Sequence, residues 1–215
     1  HLNRLSKIKH VVSMTSAMAD QVQRYIGRDS VIIGNFLDEK RLLKFKKTCQ
    51  KQGPYKIIFS GSLCNRKQPM LIIESVSILR SKGYEVELDI LGEGPLLDSL
   101  KNKVEELGLH EMVTFHGYLI EPYGFMSEFD VLVSTSLSEG VSRSTLEALY
   151  LGIPCVLRNV DGAKDLIQNG INGYLFNDDS EFADNIISAI TLSRNYDKNK
   201  SLLPSMFRQN NSARQ

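Results

Sequence analysis

The stretch DVLVSTSLSEGVSRSTLEALYLGIPCVL, residues 130–157, decides the fold class of this chain. Its apolar run Asp130–Ser134 predicts a buried strand, and the periodic segment Ser142–Leu151 predicts a helix. A second short apolar run, Pro154–Leu157, predicts another strand after a turn at Gly152. Two strands that are joined through a helix pair in parallel. The stretch therefore predicts one β-α-β unit of a parallel sheet.

The same alternation of strands and helices extends along most of the 215 residues. The predicted strands are Val11–Met14, Val31–Ile33, Lys56–Ser60, Glu85–Leu91, Met112–His116, Asp130–Ser134, Pro154–Leu157 and Gly173–Phe176. The predicted helices are Ser16–Ile26, Pro69–Ser81, Pro95–Leu107, Ser142–Leu151, Ala163–Gln168 and Ser180–Leu192. This pattern predicts an α/β fold, with a Rossmann-like parallel sheet and helices on both of its faces.

The helix that begins near Ser142 offers a site for an anion. Ser142 suits the N-cap position, and the free N–H groups and positive dipole end of the helix follow it. Glu139 lies in the loop before this helix, and Glu147 lies about one turn inside it. An anion site between two carboxylates suits a ligand with a central diphosphate and hydroxyl groups at both ends. A nucleotide-sugar has this layout.

Four predicted strands end next to residues that suit a ligand site, namely Gly61, Gly92, Gly117 and Ser134. In open parallel sheets, ligands bind in the crevice beyond the carboxyl ends of the strands. We therefore expect these four positions to meet at one edge of the sheet, which is also the edge that carries Glu139.

Composition and charge exclude several classes of protein. The chain has 26 Lys and Arg residues against 25 Asp and Glu residues, and a net charge of +1 gives no basic face for nucleic acid. No apolar run approaches the length of a membrane span. The cysteines Cys49, Cys64 and Cys155 are far apart and odd in number, which argues against a zinc site or a disulfide framework. We therefore expect a protein of the reducing cytoplasm that holds no metal.

The segment from Glu139 to Glu147 resembles a known family motif. Together with Gly152-Ile153-Pro154-Cys155-Val156, it resembles the glutamate-x7-glutamate segment of retaining GT-B glycosyltransferases of family four. Further segments resemble the family's motifs in the family's order. They are Ile33–Asp38, which resembles the hinge motif with its glycine and asparagine transposed, Gly61–Lys67, which resembles the glycine-arginine-leucine-x3-lysine loop, and then Leu91–Pro95, Val113–Gly117 and Asn169–Gly173.

The resemblance implies a metal-independent transferase that needs no cofactor and uses a nucleoside-diphosphate sugar as its donor. It implies that Glu139 binds the donor sugar and that Lys67 holds the diphosphate, which makes these two the catalytic candidates. The donor-binding candidates are Glu147, Ser142, Arg143, Val141, Gly61, Arg66, Tyr118 and Leu119. Among them, Glu147 would hold the ribose, and Tyr118 and Leu119 would lie at the nucleobase. One position departs from the family, because Ser62 stands where the family usually has arginine.

The resemblance also implies that this chain is the C-terminal half of a GT-B fold. Residues 1–35 would be a remnant of the N-terminal domain and the hinge, residues 36–195 the donor-binding domain, and residues 196–215 a frayed C-terminal tail. The acceptor-binding domain would be missing from this chain. A glycolipid or polysaccharide would be the acceptor, and the full-length protein would act in the cytoplasm or at the cytoplasmic face of the membrane.

Other interpretations remain open from the sequence. Ser62 favours a non-catalytic module that binds nucleotide-sugar or a partner, and a nicotinamide-dependent oxidoreductase is disfavoured because Leu97 occupies the third position of the glycine fingerprint. Several single features also have simpler structural explanations. Glu147 would pair with Arg143 on the helix surface, and His116 would be packed or exposed rather than catalytic. Asp178-Asp179 would be a cluster at a helix N-terminus, and the basic stretch 40–51 would be a solvated helix face rather than a membrane patch.

Overall fold

The computed structural model of the chain describes residues 8–35, 37–46, 53–195 and 200–208. Its strands are β1 (Val12–Ser13), β2 (Val31–Ile32), β3 (Tyr55–Ser60), β4 (Val86–Leu91), β5 (Val113–Gly117), β6 (Val131–Ser134), β7 (Cys155–Arg158) and β8 (Gly173–Phe176). Its α-helices are α1 (Ser16–Ile26), α2 (Glu39–Leu43), α3 (Pro69–Ser81), α4 (Leu97–Glu106), α5 (Tyr123–Met126), α6 (Arg143–Tyr150) and α7 (Phe182–Asn195).

Strands β3 to β8 form one sheet in which every neighbouring pair is parallel, in the order β5-β4-β3-β6-β7-β8. The chain builds outward from β3 through β4 to β5 and then returns to place β6 on the other side of β3. The order therefore reverses between β3 and β6, and this is the switch point where open parallel sheets form a crevice. Strands β1 and β2 form a separate two-stranded parallel sheet.

Hydrophobic side chains cover both faces of the six-stranded sheet. Along β3, Ile57 and Phe59 belong to one buried cluster, which also contains Ile73 of α3. Ile58 belongs to the other buried cluster, which also contains Leu146 of α6. Because successive side chains of a strand point to opposite faces, helices pack on both sides of the sheet. The predicted Rossmann-like α/β fold is thereby confirmed.

Most of the predicted elements are confirmed as well. Helices α1 and α3 have the predicted bounds. The bounds of the predicted strands and of α4, α6 and α7 agree with the structure to within three residues at each end. Gly83 and Gly108 follow α3 and α4 with φ values of 86° and 60°. Both glycines therefore end their helices in the left-handed conformation, as their positions in the sequence predict.

The predicted helix Ala163–Gln168 is wrong, because this segment forms turns. Asn172 supplies the physical reason. Its Oδ1 accepts a hydrogen bond from the N–H of Gln168, and its Nδ2 donates to the carbonyl of Leu166, both at 2.8 Å. A side chain that takes these backbone groups offers the chain an alternative to helical hydrogen bonds. Helix α5 is not predicted from the sequence, since four residues are too few to show a helical period.

The expectation of a frayed tail is wrong for residues 200–208. Leu202, Leu203 and Phe207 are buried, and the N–H of Leu202 donates to the carbonyl of Leu149 on α6 at 2.9 Å. The apolar residues of the tail thus cover part of the core. The sequence does not predict this packing, because most residues around them are polar. The remaining residues of the predicted tail, 196–199 and 209–215, lie outside the described residues.

Strand β1, helix α1 and strand β2 form a small unit beside the large sheet. The N–H and hydroxyl of Ser16 donate to the two carboxylate oxygens of Asp165 at 2.8 and 2.7 Å. Asn35 Nδ2 donates to the carbonyl of Val141 at 3.2 Å. Helix α1 is amphipathic and yet has no buried residue. The division of the chain at residues 35 and 195 stays a prediction.

The basic stretch 40–51 is described only as far as Lys46. Within it, Lys40, Arg41 and Lys44 are exposed, and Leu42 is the residue of α2 that is buried. A solvated helix face is therefore the better description of the part of this stretch that the structure covers. Cys49 and the other residues from 47 to 52 lie outside the described ranges.

Candidate functional site

The loops that follow the strands meet at the switch point, as predicted. The loops after β3 and β6 are joined by a hydrogen bond from the N–H of Leu137 to the carbonyl of Arg66, at 2.9 Å. The loops after β3 and β4 also touch, because a Cβ atom on Gly92 would lie 1.9 Å from the carbonyl oxygen of Gly61. Three strand ends therefore pack backbone against backbone and line one crevice.

Helix α6 begins at this crevice. Ser142 is its N-cap, and the Ser142 hydroxyl accepts a hydrogen bond from the N–H of Thr145 at 3.4 Å. The Ser144 hydroxyl donates to the carbonyl of Ser60, the last residue of β3, at 3.3 Å. These bonds fix the first turn of α6 against the end of β3. The first N–H groups of a helix have no partner within the helix and lie at its positive end, so this turn can bind an anion.

Glu139, in the loop after β6, lies against two cations from the loop after β3. Its carboxylate forms an ion pair with Lys67, and Arg66 Nη1 lies 3.4 Å from Glu139 Oε2. Arg66 Nη1 also donates to the carbonyl of Ser138 at 2.7 Å. The side chains of Lys67 and Glu139 are only 12% and 22% exposed, so water screens their attraction weakly. The structure thus brings together both catalytic candidates and one of the donor-binding candidates.

Glu147 lies on the inner face of α6 and is buried, with 7% of its surface exposed. Arg143 Nε lies 3.2 Å from Glu147 Oε1, so the ion pair that the sequence allowed is present. The prediction that Glu147 lies on the surface is wrong. Burial raises the pKa of Glu147 above its ordinary value, against the opposing effects of Arg143 and of a hydrogen bond with Tyr123. A hydroxyl-bearing ligand that bonded to this carboxylate would replace the water that it has lost.

A cavity of about 270 Å³ lies between the loops that follow β3, β4 and β5. Its lining contains Gly61, Tyr118 and Leu119, three of the predicted donor-binding residues, and also Ser62. Tyr118 is 71% exposed, so its ring stands at the mouth of the cavity. The residues predicted to contact the nucleobase therefore line a cavity, and Ser62 places no positive charge in it.

Two residues near the crevice are missed by sequence reasoning. Glu93 lines the 270 Å³ cavity, and although it lies in the motif-like segment Leu91–Pro95, the sequence assigns it no role of its own. Thr135 is wholly buried directly after β6, and its hydroxyl bonds to the loop that carries Lys67. A single threonine at a strand end gives no signal in the sequence, because its partner lies 68 residues earlier in the chain.

The other singled-out residues have structural roles. His116 Nε2 lies 2.5 Å from Asp89 Oδ1, and its ring packs edge-on against Phe125. Asp178 caps the short 3-10 helix Asp179–Glu181, and the hydrogen bonds from Ser180 lower the pKa of Asp178. Across the ranges that the structure describes, no cluster of His, Cys, Asp and Glu could hold a metal ion, and no helix is long and apolar enough to cross a membrane.

Comparison with known proteins shows the family of this chain. Residues 40–202 match the sequence model of the family described as glycosyl transferases group 1. The chain belongs to this family. The match includes the switch-point loops, the start of α6 and both glutamates of the candidate site.

Individual relatives are similar to parts of the chain. Over 193 residues, it is 26% identical to a poly(ribitol-phosphate) alpha-N-acetylglucosaminyltransferase of Staphylococcus aureus, a match that covers 88% of this chain and 38% of that protein. Over 136 residues, it is 35% identical to the O-antigen biosynthesis glycosyltransferase WclY of Escherichia coli, which covers 60% of this chain and 37% of that protein. The chain thus spans less than two fifths of the length of these relatives.

A solved structure supports the fold assignment. The structure of a point mutant of S. aureus TarM, in complex with Fondaparinux, alpha-GlcNAc-glycerol and UDP, superposes with a TM-score of 0.76 at 25% identity. The superposition covers 90% of this chain and 40% of the TarM chain.

Proposed function

We propose that this chain is the donor-binding domain of a retaining glycosyltransferase whose donor is a nucleoside-diphosphate sugar. One observation carries the proposal. The N-terminus of α6 opens into the switch-point crevice with Glu139 before it, Glu147 within it, and Lys67 across from it. An anion site with a cation beside it and a carboxylate on each side matches a diphosphate between two sugars.

Each predicted residue has a role in this proposal. The diphosphate lies at the first turn of α6, where the N–H groups near Val141, Ser142 and Arg143 face it. Glu147 accepts hydrogen bonds from the ribose hydroxyls, and Glu139 accepts them from the donor sugar. The nucleobase enters the 270 Å³ cavity, where the sequence-predicted contacts are Gly61, Tyr118 and Leu119.

In the proposed reaction, the substrates supply all of the reacting groups, and the protein stabilises the developing charge. The bond between the donor sugar and the diphosphate breaks while the acceptor oxygen forms a bond to the same face of the sugar, which retains the configuration. The departing diphosphate takes the proton of the acceptor. Lys67, with Arg66 beside it, stabilises the negative charge that grows on the diphosphate, and the rest of the site orients the reactants. This scheme uses neither a metal nor a cofactor.

The proposal for the acceptor concerns a longer protein, of which this chain would be one domain. The exposed face of the β1-α1-β2 unit carries Val12, Tyr25 and Val31, apolar side chains that a preceding acceptor-binding domain would cover. The names of the two relatives refer to a polymer of ribitol phosphate and to O-antigen biosynthesis. By analogy, we propose a polysaccharide or glycolipid acceptor, reached in the cytoplasm or at the cytoplasmic face of the membrane.

Calorimetric titration of the chain with UDP, GDP and ADP tests the proposal. UDP is the first choice because TarM was solved with it. We expect one nucleotide to bind, and Glu147→Ala to weaken that binding by about tenfold or more, since charged hydrogen bonds are lost. Glu74→Ala is the matched control, because Glu74 is an exposed glutamate on helix α3. Binding of none of the three nucleotides, or equal affinities in Glu147→Ala and the unaltered chain, would contradict the proposal.

Ser62 favours a second candidate function, a module that binds nucleotide-sugar without transferring the sugar. It lines the cavity without the positive charge that the family usually places there. Turnover with and without Ser62→Arg in the full-length protein separates the two candidates. Transfer by the unaltered protein supports the enzyme. Lack of turnover by the unaltered protein with every donor, whether or not Ser62→Arg restores it, supports the binding module.

A further inference from the structure

The loop that carries Lys67 contains a backbone conformation that asparagine and glycine normally supply. Gln68 has φ 48° and ψ 46°, and among the described residues it is the one non-glycine residue with positive φ. It stands between the 3-10 helix Asn65–Lys67 and Pro69, the first residue of α3. A residue with a long side chain is strained in this left-handed conformation, so the surroundings must hold it there.

Thr135 supplies the contact that holds this turn. Its Oγ1 lies 2.7 Å from the carbonyl oxygen of Lys67 and 2.8 Å from that of Gln68, so one hydroxyl hydrogen is shared between two adjacent acceptors. Thr135 is 0% exposed, and water does not compete for these bonds. Its own carbonyl accepts a hydrogen bond from Arg158 Nε at 3.1 Å, which ties it to the end of β7.

The side chain of Gln68 adds one further bond to the same turn. Its Nε2 donates to the carbonyl of Asn65, the first residue of the 3-10 helix, at 2.8 Å. The backbone around Lys67 is therefore held on both sides, by Gln68 within its own loop and by Thr135 from the loop after β6. Lys67 itself has little freedom to move away from Glu139, because its side chain is 12% exposed.

We propose that Thr135 is a positioning residue, which holds the strained turn at Gln68 and thereby sets the Lys67 ammonium opposite Glu139 and the start of α6. The inference rests on the proposed function for its consequence, the binding of a diphosphate, but its structural part stands apart from that function. A cation that stabilises a leaving group must be placed within a fraction of an ångström, which a fixed backbone ensures and a mobile loop does not.

The first experiment measures the position of Lys67 without any nucleotide. Each variant is treated with a limiting amount of acetic anhydride, and the acetylation of Lys67 is compared with that of Lys103 by mass spectrometry. Lys103 is a suitable reference because it is paired with Glu106 on the distant helix α4. We expect Thr135→Val to raise the acetylation of Lys67 relative to Lys103, and Thr135→Ser, which keeps the hydroxyl, to restore the original ratio.

A second pair of variants makes the same test should Thr135→Val fail to fold. Gln68→Gly and Gln68→Val both lose the side-chain bond to Asn65, but only glycine adopts the left-handed conformation without strain. We expect Lys67 to stay protected in Gln68→Gly and to become reactive in Gln68→Val. An equal response in these two variants, or an unchanged ratio in folded Thr135→Val, would overturn the inference.

The second experiment is a double-mutant cycle on UDP binding by calorimetry. Thr135→Val should weaken UDP binding by about tenfold in the unaltered background and should have no effect when Lys67→Ala is already present. A general structural defect would lower the affinity by the same factor in both backgrounds, and that result would also overturn the inference. If Lys67 acetylation responds as expected while UDP, GDP and ADP all fail to bind, the proposed function fails and the positioning role of Thr135 stands.

Discussion

Lys67 and Glu139 form an ion pair across the switch point, where one residue follows β3 and the other precedes α6. They are 72 residues apart in the sequence, and the parallel order of β3 and β6 brings them together. In the free protein, the charges of Lys67 and Glu139 neutralise each other. A diphosphate that enters the crevice must therefore compete with Glu139 for the positive charge of Lys67.

This competition gives the first prediction. Glu139→Gln removes the negative partner of Lys67, so UDP should bind the variant at least as tightly as it binds the unaltered chain, while sugar transfer by the full-length protein should be lost. Calorimetry with UDP measures the first effect. Glu121→Gln serves as the control, since Glu121 is an exposed acid that pairs with Arg41. A clearly weaker affinity for UDP in Glu139→Gln would show that Glu139 does not restrain Lys67.

The second prediction concerns the pH dependence of stability. Burial raises the pKa of Glu147, so this carboxyl holds its proton more tightly in the folded chain than in the unfolded chain. Its contribution to stability is then present below the folded pKa and is lost as the pH rises through that value. Glu147→Gln, which stays neutral, should melt at a higher temperature than the unaltered chain near pH 7.5, and the difference should shrink towards about pH 4.

The same variant should bind UDP more weakly, because an amide accepts hydroxyl hydrogen bonds less strongly than a carboxylate does. Thermal denaturation without ligand, repeated at several pH values, measures the predicted difference in melting temperature. Glu74→Gln is the control, and its melting temperature should follow that of the unaltered chain at every pH. A Glu147→Gln protein that melts lower than the unaltered chain at neutral pH would refute the role of burial.

The third prediction tests the close approach of two strand ends. An added Cβ on Gly92 would lie 1.9 Å from the carbonyl oxygen of Gly61, and Gly92 has φ 139°. We expect Gly92→Ala to lower the free energy of unfolding by about 3 kcal/mol or more. Gly83→Ala shares the positive φ but meets no atom within 4 Å, and it should cost only about 1 kcal/mol. Urea denaturation compares the two, and similar costs would rule out the clash.

The fourth prediction concerns the tail. Phe207 is wholly buried and its ring lies against the backbone of Gly34, so it joins the tail to the chain between β2 and α2. Phe207→Ala should lower the free energy of unfolding by about 3 kcal/mol, the usual cost of removing a buried aromatic ring. The neighbouring Met206 is 46% exposed, and Met206→Ala should change the stability by no more than about 0.5 kcal/mol. Equal effects in urea denaturation would mean that the tail does not stabilise the fold.

The sequence predicts the architecture of this chain because the signals for it are local. Apolar runs and helical periods fix the strands and most helices, and Ser142 marks the start of α6 by its own capping chemistry. Prediction fails where a distant or lone residue decides the outcome. Asn172 diverts the segment Ala163–Gln168 from a helix, and the burial of Leu202 and Phe207 keeps part of the tail on the core.

The same distinction applies to the candidate site. Glu139, Lys67, Ser142 and Glu147 can each be named from motif spacing, because the motif keeps them at fixed positions along the chain. Their arrangement is decided by the tertiary structure alone. The ion pair of Lys67 with Glu139 and the hydrogen bond of Thr135 to Gln68 each join the loops that follow two different strands. The burial of Glu147 likewise depends on the elements that pack around α6. Spacing along the chain specifies residue types and local conformation, whereas charge partners and burial depend on which strands become neighbours in the sheet.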